Sequence, residues 1–116
     1  MDIAWLVFDS VSFGATPFAE DGPETMPKLQ ELAESRGTIF TNCYAPGHSS
    51  PSSHASFFTG RYPSDIGMHA ANPQFDGQYP TIADATASTH RSLLTTINIF
   101  LNTGLERGFD KSVDLY

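Results

Sequence analysis

The sequence is poor in basic residues, in cysteine and in long apolar runs, and each shortage excludes a class of protein. Six of its 116 residues are Lys or Arg, against 13 Asp or Glu, so its formal charge is −7 and it lacks the basic footprint of a nucleic-acid binder. One cysteine, Cys43, rules out an internal disulfide framework. The longest apolar run, residues 3–8, falls well short of the roughly 18 residues of a membrane span. We therefore expect neither a nucleic-acid nor a membrane partner.

The amino terminus carries no basic region and no cleavage site ahead of the first apolar run. A cytoplasmic location is therefore expected. The acidic, lysine-poor composition would suit a salt-rich cytosol, where counterions screen the repulsion between like charges. An ordinary acidic protein fits the same composition equally well.

The elements that the sequence does contain follow an α/β order. They are a strand over residues 3–8, a helix over 25–36, a strand over 38–44, a helix over 51–60, a helix over 81–89 and a strand over 92–100. The first strand is apolar on both faces, which is typical of a parallel strand covered by helices on both sides. A strand, helix and strand in this order favour a parallel pair with a right-handed crossover. The pattern predicts an α/β domain.

Asp9 ends the first predicted strand, where packing does not explain a carboxylate. A buried charge needs a cation or hydrogen-bond donors, and Ca²⁺ or Mg²⁺ is one solution. An Asx-turn that caps the following loop is the alternative. A long loop follows, and loops of more than about 12 residues in compact domains are often functional.

Ser50 lies just before a predicted helix, among backbone amides that lack carbonyl partners. Such a position favours a bound anion or a developing oxyanion, and a hydroxyl there can serve as a nucleophile, especially when a divalent cation binds it. The alternative is an ordinary N-cap, for which serine is a preferred residue. His54 follows one helical turn later and could reach an anion at the helix start, although a lone histidine is more often simply packed.

The segments together resemble the amino-terminal part of the sulfatase family, within the alkaline phosphatase superfamily. They are residues 3–10 (IAWLVFDS), 26–33 (MPKLQELA), 37–46 (GTIFTNCYAP), 50–63 (SPSSHASFFTGRYP), 80–85 (PTIADA) and 104–110 (GLERGFD). The resemblance implies an alkaline phosphatase-like three-layer α/β/α sandwich with a mostly parallel sheet, of which this sequence represents the N-terminal portion.

The stretch that begins at Ser50 departs from the family signature, which reads Cys or Ser, any residue, Pro, Ser, Arg, and four residues later Thr-Gly. Counting back from Thr59 aligns Ser50 with the nucleophile, whereas Ser52 replaces the Pro and His54 replaces the Arg. Sulfatases convert the Cys or Ser to formylglycine with machinery that reads the Pro and Arg, so we expect Ser50 to remain unmodified. A subgroup that resembles phosphohydrolases reads Thr, any residue, Pro-Ser-His-Ala-Ser, which is closer to this chain.

The resemblance implies a metal-dependent hydrolase of small sulfate or phosphate esters. Ser50 would be nucleophile and metal ligand, Asp9 a second ligand, and His54 a catalytic contact to the ester anion. The family implies Ca²⁺ first, with Mg²⁺, Mn²⁺ and Zn²⁺ open. Sulfatases tend to carry a second aspartate where this chain has Ser10.

The family's other ligands come downstream, as an Asp followed by Asn or His, and neither dipeptide occurs in this sequence. We therefore expect a truncated form that lacks the downstream half of the active site. Two further readings stay open: an inactive remnant, and an anion-binding or interaction module without turnover. A complementing downstream polypeptide or self-association would then supply the partner.

Overall fold

Two compact units, Met1–Tyr44 and Ala45–Tyr116, make up the chain in the computed structural model, which describes residues 2–69, 71–96 and 102–115. Helices and a two-stranded parallel sheet within these residues agree with the predicted α/β class. The elements are a short 3₁₀ helix at Phe13–Ala15, α1 (Pro27–Arg36), α2 (Ser50–Thr59), α3 (Pro63–Ile66), α4 (Ile82–Thr86), β1 (Leu93–Thr96) and β2 (Lys111–Asp114). No helix in the described ranges is both long enough and apolar enough to cross a membrane.

The first unit does not form the two strands that the sequence predicted. Residues 3–8 and 38–44 have no strand conformation, and residues 41–42 form a turn. Their apolar side chains are exposed, with Leu6 at 74% and Phe40 at 76%. A strand that is apolar on both faces is stable only when neighbouring strands and covering layers bury it. The described part of this unit contains no strand that could pair with either segment.

The helix of the first unit begins at Pro27, two residues later than predicted. Its N-cap is Met26, and the hydroxyl of the preceding Thr25 donates to the Ala15 carbonyl at 3.0 Å. Pro27 is well placed as the first helical residue because its fixed φ suits a helix and its missing N–H needs no partner there. The helix ends at Arg36, as expected, and the Gly37 amide donates to the Ala33 carbonyl at 2.9 Å.

The second unit holds the hydrophobic core. Its fully buried members come from α2, from the end of α3 and from the loops after them: Ala55, Ile66, Met68, Phe75 and Leu105. Phe58 and Tyr79 pack against this cluster. None of the described residues 2–44 is buried to the same degree. The core therefore lies under α2, the helix just before which the sequence placed the candidate nucleophile.

The third predicted helix is shorter than expected. α4 ends at Thr86 instead of residue 89, because the Thr89 amide donates to the Thr86 carbonyl at 2.9 Å and closes a turn. Its start was predicted to within one residue: Thr81, the first residue of the predicted helix, is the N-cap, and Asp84 completes a capping box with it. Such reciprocal bonds satisfy amides that a helix start leaves without partners.

β1 and β2 form a parallel pair in the register Leu93↔Lys111 to Thr96↔Asp114. The sequence predicted a strand over residues 92–100, of which the structure shows 93–96, while residues 97–100 lie outside the described residues. β2 was not predicted. Asp110 ties the two strands at their start, since its carboxylate accepts from the Ser92 amide at 2.7 Å. This bond lowers the pKa of the Asp110 carboxyl.

Candidate active site

Ser50 is the first residue of α2, one residue earlier than the predicted helix start. Ser49 precedes it in an extended conformation (φ −127°, ψ 152°), and its carbonyl accepts from the Ser53 amide at 3.0 Å. Pro51 costs nothing at the second position, because amides of the first turn have no carbonyl partner within the helix. Gly60 ends the helix with φ 68°, the left-handed conformation that glycine adopts without strain. The predicted helix over residues 51–60 is thus confirmed to within one residue at each end.

Residues 52–54 direct their side-chain donors back to the chain that enters α2. Three hydrogen bonds join Ser52 Oγ to the Ser49 carbonyl at 3.0 Å, Ser53 Oγ to the Gly47 carbonyl at 2.8 Å and His54 Nδ1 to the Ser50 carbonyl at 2.8 Å. All three side chains belong to residues that are at most 8% exposed. Buried donors without partners are costly, and here each donor finds a carbonyl three to six residues earlier.

The Ser49 and Ser52 hydroxyls add a fourth contact, at 2.8 Å between their oxygens. Because Ser52 gives its one hydrogen to the Ser49 carbonyl, the Ser49 hydroxyl is the donor in this contact. The Ser49 hydroxyl does not accept from an amide of the first turn, so the usual side-chain N-cap is not formed here.

His54 is 8% exposed and packs its ring edge-on against two phenylalanines of its own helix. The ring centroids lie 5.5 Å from Phe57 and 6.2 Å from Phe58. A carbonyl oxygen can only accept a hydrogen bond, so the bond to Ser50 requires a hydrogen on Nδ1. The structure thus assigns the Nδ1–H form to this imidazole, with Nδ1 engaged by the backbone.

Gly47 packs so closely on α2 that no side chain fits there. A Cβ atom at this position would collide with Ser52 Oγ and would lie 3.2 Å from the Ser53 amide nitrogen. This part of the chain forms one wall of an open, mainly apolar groove of about 770 Å³. The groove is lined by residues 45–48, Ser52, residues 62–64 and residues 67–69.

Asp9 lies in the first unit, at a turn formed by residues 9–10, and it is exposed. Within the described ranges, no three His, Cys, Asp or Glu side chains come together as metal ligands. Ca²⁺ takes about 6–8 oxygen ligands, of which Asp9 and Ser50 would be two. The described residues therefore do not fit a complete divalent-metal site.

Comparison with protein-family models decides the family. The sulfatase family model matches residues 2–112, nearly the full chain. This chain belongs to the sulfatase family. Sulfatases bind a divalent metal, often Ca²⁺, and act on sulfate esters. No curated protein and no solved structure matches the chain significantly.

Within this sulfatase-family chain, the structure brings Ser50 and His54 into one helical turn, as their spacing predicted. Sequence reasoning missed the hydrogen bonds of Ser52 and Ser53 and the tight packing of Gly47. One signal was available: serine side chains readily bond to nearby backbone groups and compete with regular structure. A run of serines beside a proline at a helix start therefore indicates side-chain bonds to the entering chain.

Proposed function

We propose that this chain is a sulfatase-like hydrolase of sulfate or phosphate esters in which Ser50 is the nucleophile. The observation that supports the proposal is the position of Ser50 as first residue of a ten-residue helix, in a chain that the sulfatase family model matches over residues 2–112. The first-turn amides and the positive end of the helix dipole favour a negatively charged ester group at that place.

The reaction needs an oxygen nucleophile and a means to stabilise negative charge. Ser50 Oγ attacks the phosphorus or sulfur atom and loses its proton to solvent, the bond to the ester oxygen breaks, and that oxygen takes up a proton from solvent. Water then releases the group held on the serine. An unmodified hydroxyl suits phosphate esters better than sulfate esters, so we propose phosphate esters as the preferred substrates and an unmodified Ser50 in the purified protein.

We further propose Asp9 and Ser50 as two ligands of a divalent cation, with the remaining ligands supplied by other residues. The proposed architecture is the N-terminal portion of the three-layer α/β/α sandwich of the alkaline phosphatase superfamily. Both proposals rest on the family match. His54, one turn into α2, belongs to the same helix start.

The test is hydrolysis of an aryl phosphate and an aryl sulfate by the purified chain with Ca²⁺, Mg²⁺, Mn²⁺ or Zn²⁺. Loss of the nucleophile in Ser50→Ala should abolish turnover, whereas Ser64→Ala, at an exposed serine on α3, should leave it unchanged. Asp9→Asn should raise the metal concentration needed for half-maximal activity, and Asp21→Asn should not. Mass spectrometry of the peptide with Ser50 should show an unmodified serine.

Three outcomes would contradict the proposal. Turnover that survives Ser50→Ala would remove this serine from the mechanism. Binding of phosphate or sulfate without any hydrolysis would favour an anion-binding module. The absence of both binding and hydrolysis under every metal would favour an inactive remnant.

A further inference from the structure

We propose that residues 52–54 are positioning residues that fix the backbone of Ser50, and that His54 acts on the reaction through Nδ1 and the Ser50 carbonyl. The inference rests on the proposed role of Ser50 as nucleophile. It assigns to His54 a different task from the anion contact that the sequence predicted. The task follows from where the three buried side chains place their hydrogen-bond donors.

Two of these side-chain donors, together with one backbone amide, act on the peptide groups that flank the nucleophile. The Ser49 carbonyl belongs to the peptide plane before Ser50, and it accepts from Ser52 Oγ and from the Ser53 amide. The Ser50 carbonyl belongs to the plane after it and accepts from His54 Nδ1 at 2.8 Å. With both planes held, the Cα–Cβ bond of Ser50 has one direction. This removes conformational freedom that the reaction would otherwise have to restrict.

Further back along the entering chain, the Ser53 hydroxyl donates to the Gly47 carbonyl at 2.8 Å. Gly47 lies directly on Ser52, where even a Cβ atom would collide. The segment that leads into the helix is therefore fastened at Gly47, at Ser49 and at Ser50. Supporting hydrogen bonds of this kind hold a reactive group to the fraction of an ångström that catalysis requires.

These bonds also give a role to the two departures from the family signature. Ser52 stands where the signature has Pro, and a proline could not donate to the Ser49 carbonyl. His54 stands where the signature has Arg, and its short side chain reaches the carbonyl four residues earlier. The first replacement thus adds a side-chain donor to the helix start, and the second places a donor on the Ser50 carbonyl.

Two substitutions separate action through Nδ1 from action through Nε2. The amide nitrogen of asparagine lies as many bonds from Cα as His54 Nδ1, whereas that of glutamine corresponds to Nε2. We expect His54→Ala to lower kcat by roughly 100-fold with KM changed little. His54→Asn should restore most of that loss and His54→Gln should not. The matched control is His90→Asn at an exposed histidine, which should leave kcat unchanged.

Two NMR measurements on the full chain test the inference and do not require that the protein hydrolyses a substrate. Long-range ¹H–¹⁵N spectra should show His54 protonated on Nδ1. The Cα–Hα order parameter of Ser50 should be close to the rigid value of about 0.85 in the original chain and in His54→Asn, and should fall toward about 0.6 in His54→Ala.

A neutral Nε2–H imidazole, an unchanged order parameter in His54→Ala, or rescue of kcat by Gln instead of Asn would overturn the positioning role. A rise in KM with kcat unchanged would overturn it as well, because it would indicate a direct contact between His54 and the ester anion. If no variant and no metal gives hydrolysis, the proposed function fails, and the two NMR measurements still decide whether His54 holds Ser50.

Discussion

Gly47→Ala should damage the candidate site without touching any proposed catalytic group. The new methyl group would collide with Ser52 Oγ, and it would lie 3.1 Å from Ser52 Cβ and 3.2 Å from the Ser53 amide nitrogen. Ser52 is 2% exposed, so its hydroxyl has little access to solvent if it turns away from its present partners. The collision is relieved only if Ser52 rotates away from the Ser49 carbonyl or if the entering chain moves.

Rotation of Ser52 and movement of the entering chain each lower the free energy of unfolding. Rotation leaves a buried hydroxyl without its acceptor, which costs about 1–3 kcal/mol, and overpacking a close-packed site costs a similar amount. We therefore expect Gly47→Ala to lower the free energy of unfolding by about 1–3 kcal/mol, measured by urea unfolding with far-UV circular dichroism. The cost should shrink by at least about 1 kcal/mol when Ser52 is already alanine, because the colliding oxygen is then gone.

Gly14→Ala is the matched control. Its added Cβ would meet no atom closer than Ser12 Oγ at 4.0 Å, while it restricts the unfolded chain as much as Gly47→Ala does. We expect a change within about 0.5 kcal/mol. Equal losses for Gly47→Ala in the original chain and in the Ser52→Ala background would refute the packing argument.

Three further predictions concern the first turns of α4 and α1. Thr81→Ala should lower the free energy of unfolding by about 1 kcal/mol, since it removes the N-cap of α4. The Thr81 amide, 2.8 Å from the Asp84 carboxylate, is the main cause of a lowered pKa at Asp84. Because the folded pKa is below the unfolded one, the stabilisation by Asp84 is present above the unfolded pKa and is lost as pH falls through the folded pKa. Asp84→Asn should therefore be more destabilising at pH 7 than at pH 2 in urea titrations; an equal effect at both would contradict this. Lys28→Ala breaks an exposed salt bridge, in which Lys28 Nζ lies 2.9 Å from Glu31 Oε2. This substitution should change the free energy of unfolding by less than about 0.5 kcal/mol.

The sequence predicted those features that depend on neighbours within one helical turn. The start of α4 at Thr81 follows from a threonine with an acidic residue three positions later, which is a local pattern. The ends of α2 follow from a proline near its start and Gly60 after its last residue. In each case the partners of the backbone groups lie a few residues away, so the sequence alone contains the information.

Features that depend on distant partners could not be predicted in this way. Residues 3–8 are apolar enough for a buried strand, but a strand also requires an adjacent strand, and the described residues provide none for it. β2 was missed for the converse reason: its residues alternate only weakly, and its strand conformation comes from pairing with β1 and from the bond between Asp110 and Ser92. The hydrophobic pattern of a segment indicates which of its faces would be buried, whereas the pairing of strands depends on the rest of the fold.

The same distinction between local and distant partners separates the proposed nucleophile from the proposed metal site. The hydrogen bonds that hold Ser50 join residues at most six apart, and all lie within the second unit, where the core is. Local bonds over a buried core need no further partner, so this unit's own residues fix the helix start around Ser50, the proposed nucleophile. A divalent cation needs several oxygens from distant segments, and the described residues do not gather them. Nucleophile geometry and metal affinity should therefore respond to different substitutions: changes at residue 47 and at residues 52–54 should alter kcat at saturating metal, and Asp9→Asn should alter the metal requirement. Ser50, which is proposed for both roles, is where the two effects meet.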